Sequence, residues 1–107
     1  MTEAQQLYES IGNAIIDAES IIMYGKLCYK IQSKAFIAFF NDCMVFKLSG
    51  VQHTAAIAMP GAMLFDPSGK NRPMKEWVQL PFSQSEAWPN LAQTAYDMAK
   101  FTTKRMQ

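Results

Sequence analysis

The sequence predicts an α+β domain in which helices cover an antiparallel sheet of five strands. Three observations predict this class. Residues 3–18 and a C-terminal stretch from Ser83 carry apolar side chains at helical spacing. Stretches between residues 21 and 48 have the composition and period of strands, and short polar turns separate them. The predicted order is α-β-β-β-α-β-β-α, and we expect residues 1–107 to form a single domain.

The composition is that of a folded chain. The 107 residues are 50% hydrophobic and 18% charged, which disfavours intrinsic disorder. Ten basic and nine acidic side chains leave a net charge of +1, so charge alone does not draw this domain to nucleic acid or to an anionic membrane. The sequence shows no membrane-spanning apolar run and no signal-peptide pattern. We therefore expect a cytoplasmic protein without membrane contacts.

The first predicted helix spans residues 3–18. Thr2, followed three residues later by Gln5, has the pattern of a capping box at its start. Gly12 lies in the middle of this helix and costs up to about 1 kcal/mol relative to alanine. This cost indicates that packing on the sheet, more than helix propensity, stabilises the helix.

Three strands joined by short turns are predicted next, as an antiparallel meander. The first covers residues 21–31 and alternates with period two, as expected of a strand with one face in water. The second covers 35–40 and is apolar on both sides, and the third covers 43–48. Gln32–Lys34 forms one connection, and Asn41–Asp42 forms a two-residue turn that tolerates positive φ.

The second strand predicts an association surface. A strand that is apolar on both sides is usually covered on both faces. If Ile37 and Phe39 face the helices, Phe36 and Phe40 lie on the opposite face and need other cover. We therefore expect a homo-oligomer or a protein partner at Phe36 and Phe40. The alternative is that the C-terminal helix crosses to this face and buries both residues within one chain.

The second half of the sequence predicts a short helix, two further strands and a long helix. Ser49 has the position of a cap for a helix over residues 50–58. Strands are predicted over 62–65 and 75–80, and Asp66–Gly69 has the pattern of a type I turn between them. The last helix follows, with a proline in its first turn.

The residues that usually carry chemistry are few. His53 is the only histidine, and the sequence lacks zinc-ligand spacing and nucleotide-binding glycine loops. Cys28 and Cys43 each lie in an apolar stretch, and we expect both to be reduced, unreactive and structural. No catalytic residue, metal ligand or cofactor is predicted.

Several segments, in their order and spacing, resemble the TfoX/Sxy N-terminal-domain family over about residues 20 to 100. These segments are Met23-Tyr24-Gly25, Ala35-Phe36, Val45-Phe46-Lys47-Leu48, Gly61 with Phe65-Asp66-Pro67, and Pro73-Met74-Lys75-Glu76-Trp77-Val78 with Pro81. The resemblance implies an antiparallel sheet with helices packed on it, similar to type III secretion chaperones. It also implies a regulatory role linked to natural competence, and it implies no catalytic residue.

Three places are candidate binding sites. Tyr24-Gly25-Lys26 combines a glycine, which often marks a bulge or a close backbone approach in a strand, with a lysine that could hold an anion. Trp77 could stack on a planar ligand or anchor a partner. Lys47 interrupts an apolar strand, and Lys26, Lys47 and Lys75 could converge on one sheet face. Each of these residues has an alternative interpretation as a turn, a core side chain or a solvated lysine.

The leading hypothesis is a non-catalytic interaction module that binds a protein, or itself, through Phe36 and Phe40 or through Trp77. A nucleic-acid-associated regulator is the first alternative, and the near-neutral charge disfavours it. An uncharacterised enzyme is the second alternative, and the sequence offers no recognisable acid–base pair for it.

Overall fold

A computed structural model describes residues 2–23, 25–66, 69–70 and 73–105, with side chains as far as Phe101. This part of the chain has an α+β architecture with a six-stranded antiparallel sheet and three α-helices. The elements are α1 (Glu3–Ala14), β1 (Glu19–Met23), β2 (Lys26–Ile31), β3 (Lys34–Phe40), β4 (Cys43–Lys47), α2 (Gly50–Ile57), β5 (Met63–Phe65), β6 (Met74–Leu80), a 3₁₀ segment (Phe82–Ala87) and α3 (Trp88–Arg105).

The strands lie in the order β1-β2-β3-β4-β6-β5, and each pair is antiparallel. The first four strands form a meander, and α2 connects it to the last two. Strand β6 returns to pair with β4, which places β5 outside it. Strands β1 and β5 are therefore the two edges of the sheet. The predicted antiparallel α+β class is confirmed, while the similarity to type III secretion chaperones stays a prediction.

The strand predicted over residues 21–31 is wrong, because two strands occupy this stretch. Met23 pairs with Lys26, so the chain reverses within two residues. Gly25 has φ +76, a conformation that side chains with a Cβ disfavour and that two-residue hairpin turns require. This turn adds a strand, which gives six strands instead of five and the order α-β-β-β-β-α-β-β-α. Tyr24, the other residue of the turn, lies outside the described residues.

Helix α1 is shorter than the predicted 3–18. It ends at Ala14 because Ile15 is extended and Asp17 has φ 70, which turns the chain into β1. The predicted cap is confirmed: the Thr2 hydroxyl oxygen accepts from the Gln5 amide at 3.1 Å. The same hydroxyl donates to the Asp42 carboxylate at 2.8 Å, which ties the start of α1 to the β3–β4 turn.

The predicted side-chain cap of α2 is wrong. Ser49 occupies the N-cap position, but its hydroxyl makes no capping hydrogen bond. Its Oγ instead donates to the sulfur of Met98 on α3 at 3.7 Å. The hydroxyl is therefore directed towards α3 and not towards the first turn of α2.

Gly12 is explained by the packing of α1 on the sheet. The ring of Tyr29 on β2 lies against the helix backbone at this position, and a Cβ at residue 12 would collide with that ring. The Tyr29 hydroxyl donates to Asn13 Oδ1 at 2.8 Å. Tyr8 lies on the same side, with its ring centroid 5.3 Å from those of Tyr29 and Phe39. The prediction that packing stabilises this helix agrees with these contacts.

A β-bulge in β3 changes the face of Phe36. Tyr29 pairs with Ile37, but the next residue of β2, Lys30, pairs with Ala35, so Phe36 is an additional residue in β3. Its ring packs edge-on against Tyr96 of α3, with centroids 5.6 Å apart. Phe36 is 0% exposed and shares a core with Ile37. The prediction that Phe36 lies on the face opposite Ile37 is therefore wrong.

The two sides of the sheet are closed differently. We call helix face the side that packs against all three helices, with a core that includes Tyr8, Phe36, Phe46, Ala56 and Trp88. We call open face the opposite side, whose buried apolar residues form a second cluster that includes no helix residue among those described. These residues are Cys28, Ala38, Val45, Phe65 and Trp77.

Candidate functional site

The β5–β6 hairpin bends over the open face and covers its centre. Phe65 belongs to the edge strand β5, yet its ring centroid lies 5.5 Å from that of Phe40 on β3 and 6.5 Å from that of Trp77. The pairing of β5 with β6 shifts between Leu64 and Phe65, and at this irregularity the Phe65 side chain reaches across the neighbouring strands. The chain therefore supplies part of the cover that the sequence analysis assigned to a partner.

Trp77 is part of this cover. It is 7% exposed and packs in the open-face cluster with Phe65 and Val45. An indole buried at this level does not present a ring face for stacking with a ligand. The structure thus places Trp77 as a core residue, as in the alternative interpretation of the sequence.

Gly25 and Lys26 lie where the β1–β2 turn meets the open face. Gly25 is exposed, and no atom lies within 4 Å of the place a Cβ would occupy. The positive φ, and not a close contact, therefore explains why glycine occupies this position. The Lys26 ammonium lies 4.7 Å from the centroid of the half-buried Phe40 ring, a cation–π contact. The cavity beside Lys26 and Trp77 has a volume of about 10 Å³, enough for at most one water molecule. It has no room for an organic ligand.

Lys47 lines a different and larger cavity. A groove at the end of the sheet runs between the last residues of β4 and the middle of α3, and its cavity volume is about 130 Å³. Its polar side chains are Lys34, Lys47, Ser49 and Glu76, and its apolar wall includes Met98. The structure therefore separates Lys47 from Lys26.

Lys75 joins neither of these cavities. Its side chain is exposed, and its carbonyl oxygen accepts a hydrogen bond from His53 Nε2 at 2.8 Å. This bond links α2 to β6 and gives His53 a structural contact. Lys26, Lys47 and Lys75 therefore do not line one common cavity.

The two thiols lie on the open face and are both free. Burial is the main cause that raises the pKa of the Cys28 thiol, and burial also raises the pKa of the Cys43 thiol. A raised pKa disfavours the reactive thiolate. Among the described residues, no group of three or more His, Cys, Asp or Glu side chains has the arrangement of a metal site.

The two edges of the sheet differ. Edge strand β1 has five residues, and its Ile22 is 72% exposed. Edge strand β5 has three residues, of which Met63 is 55% exposed. The β1 edge was not predicted, because one period-two pattern spans both β1 and β2. The signal for it was the apolar run Ile21-Ile22-Met23 directly before Tyr24-Gly25, which is typical of a strand that enters a tight turn.

In the described part of the chain, no helix combines the length and apolarity needed to cross a membrane. Comparisons with protein-family models, with curated proteins and with solved structures find no match to this sequence. Membership of the TfoX/Sxy family therefore stays a prediction.

Proposed function

We propose that this protein is a non-catalytic interaction module that associates through the outer edge of β1, with a second copy of itself as the partner. The observation that carries the proposal is an edge strand that exposes a large apolar side chain, Ile22, beside backbone groups that have no strand partner on one side within the described part of the chain. Such an edge is a template for pairing with another strand.

The protections that proteins usually place on an edge strand are weak in β1. It has no proline, and its only charged residue, Glu19, lies at its first position. The other edge is better protected. Strand β5 has only three residues, and Pro60 lies three residues before it. The contrast favours β1 as the site of association.

The sequence of β1 suits pairing with itself. Two copies of β1 that pair antiparallel about Ile21 form a two-fold symmetric contact. In that register Glu19 lies opposite Met23 of the other copy, and Ser20 lies opposite Ile22 of the other copy. The two Glu19 carboxylates are then at opposite ends of the pair, so they do not repel each other directly.

The side chains with titratable groups support a binding role over catalysis. The His53 ring is engaged by a backbone carbonyl, and the pKa of each cysteine thiol is raised by burial. These groups lack the exposed, paired arrangement of a general acid and base. A competence-linked role in regulation, which the TfoX/Sxy resemblance implies, is compatible with a self-associating module and depends on that resemblance alone.

Light scattering on the wild-type protein and on the double variant Ser20→Lys/Ile22→Lys tests the proposal. In the register about Ile21 each new lysine faces a new lysine of the other copy, so the variant should be monomeric while the wild type is a dimer. Both substituted positions are exposed, so the fold should persist. Met63→Lys, on the β5 edge, is the matched control and should remain dimeric. A monomeric wild type, or a dimeric double variant, would contradict the proposal.

A further inference from the structure

The groove between the end of β4 and α3 has features of a ligand site that are independent of the β1 edge. Its cavity volume of about 130 Å³ lies below the ~300–1,000 Å³ of pockets for drug-sized ligands, so it suits a molecule of few heavy atoms. Its charged lining residues are Lys34, Lys47 and Glu76.

Lys47 contributes a half-buried cation to the groove. It is half-buried at the end of an apolar strand, and no hydrogen bond, ion pair or ring contact engages its ammonium among the described residues. A half-buried ammonium gains from an anionic partner because the surrounding protein screens charge less than water does. The groove therefore presents a cation to an incoming anion.

Ser49 adds a hydrogen-bond donor beside Lys47. Its hydroxyl does not cap α2, and among the described residues it donates to the Met98 sulfur, at 3.7 Å. A thioether is a weak acceptor, so a carboxylate oxygen is a better partner for this hydroxyl. The same hydroxyl can turn to a ligand at the loss of one weak contact.

The opposite wall of the groove is apolar. Ala95, Met98 and Ala99 of α3 form it, together with Leu48 after β4. Small alanine side chains leave the space, and the flexible Met98 side chain can adjust to the shape of a ligand. A ligand that satisfies both walls carries one anionic group and a short aliphatic portion.

We propose that this groove binds a small aliphatic carboxylate, with the carboxylate at Lys47 and Ser49 and the aliphatic portion on Met98 and Ala95. Glu76 limits the site to ligands of low charge, because a second negative group on the ligand would be repelled. Binding in the groove makes no contact with β1, so it is separate from self-association.

Titration of the ¹⁵N-labelled protein with hexanoate, followed by amide chemical shifts, tests this proposal. Shifts should concentrate at residues 47–49 and 95–99, and hexanoate should bind at least about tenfold more tightly than acetate because of its aliphatic portion. Hexan-1-ol, which lacks the charge, should bind at least about tenfold more weakly than hexanoate. Equal binding of hexanoate, acetate and inorganic phosphate, or shifts spread over the surface, would overturn the proposal.

Lys47→Met keeps most of the aliphatic stem and removes the charge, and it should weaken hexanoate binding by about tenfold or more. Lys47→Arg should retain binding, which separates loss of the charge from loss of the fold. Lys30→Met removes a lysine of β2 that does not line the groove and is the matched control. Unchanged affinity in Lys47→Met, or an equal loss in Lys30→Met, would contradict the assignment.

Discussion

The two faces of this sheet are closed by different means. Three helices cover the helix face, where Phe36, Phe46 and Trp88 are fully buried. The open face is covered by side chains of its own sheet, above all Phe65 and Trp77 from the β5–β6 hairpin. Apolar surface on a strand therefore predicts that cover exists, but it does not predict whether a helix, a hairpin or another chain supplies it.

This difference changes which part of the molecule is free to associate. Phe40 is half-buried between Phe65 and Lys26, so the centre of the open face needs less cover from a partner than the sequence indicates. The edge at Ile22 has no such cover in the described chain. The difference between the two faces therefore favours the edge of the sheet over its open face as the site of association.

Phe36 and Phe40 offer the sharpest test of the two faces. Phe36→Ala should lower the free energy of unfolding by about 3–5 kcal/mol, because it leaves a cavity in a dry core against Tyr96. Phe40→Ala should cost about half as much or less, since the Phe40 ring is already partly in water. Urea unfolding measures both values. Equal losses for the two variants would show that the faces do not differ as described.

Gly12→Ala should destabilise the protein although alanine favours helices. The new methyl group meets the Tyr29 ring, and overpacking of this kind costs about 1–3 kcal/mol. Removal of the ring in Tyr29→Ala should abolish most of that penalty, so the double variant should show strong coupling in a double-mutant cycle. Additive effects of the two substitutions would contradict the contact between α1 and β2.

Tyr8 and Tyr29 differ in whether the hydroxyl has a hydrogen-bond partner. The Tyr8 hydroxyl is buried without a hydrogen-bond partner in the described part of the chain, so Tyr8→Phe should raise stability by about 1 kcal/mol. Tyr29→Phe should lower stability by about 1 kcal/mol, because its hydroxyl donates to Asn13. Thermal or urea unfolding of the two variants measures the difference. A loss of stability in Tyr8→Phe would indicate a partner for this hydroxyl.

The same groups predict how stability depends on pH. Burial raises the pKa of Tyr8, Tyr29, Cys28 and Cys43 in the folded chain. Above the unfolded-state pKa values, about 8.5 for cysteine and 10 for tyrosine, the unfolded chain loses protons that the folded chain retains. The free energy of unfolding should therefore fall as the pH rises above about 8.5. Tyr8→Phe should reduce the part of this decline above about pH 10. A flat profile to pH 11 would contradict the raised values.

Labelling of the cysteine thiols tests how well the open face is covered, and it needs no substitution in the wild-type protein. Cys28 is 1% exposed beneath the hairpin, and Cys43 is half-buried. Both thiols should react with a thiol reagent far more slowly in the folded protein than in urea, with Cys28 the slower of the two. Phe65→Ala removes part of the side-chain cover over Cys28, so it should increase the labelling rate of Cys28 more than that of Cys43. Rapid labelling of Cys28 in the wild type would show that the hairpin does not close this face.

Local patterns in the sequence predict most of the elements. The capping of α1 by Thr2 and the positive φ at Asn41 and Asp42 follow from residue chemistry, and the structure has both. The hairpin at Gly25 was not predicted because the period-two alternation of β1 continues into β2, although the chain reverses between the two strands. A tight turn therefore needs its own signal, which Gly25 supplies.

Features that depend on distant contacts are harder to predict. The bulge at Phe36 reverses the face of one residue, and nothing in the apolar run 35–40 marks where it lies. The bend that brings Phe65 onto Phe40 depends on contacts between residues far apart in sequence. The groove at Lys47 likewise joins residues of four elements, β3, β4, β6 and α3, so the sequence indicates the lysine but not its neighbours.

Hydrogen exchange of the β1 amides at two protein concentrations tests most directly whether the free edge of β1 associates with itself. The outward-pointing amides, which belong to alternate residues of β1, should exchange markedly more slowly when the concentration rises from about 2 to 200 µM, because mass action fills the outer edge with a second strand. The amides of β5 should show no such change. Exchange of β1 that is independent of concentration, together with a monomeric mass throughout, would contradict the account.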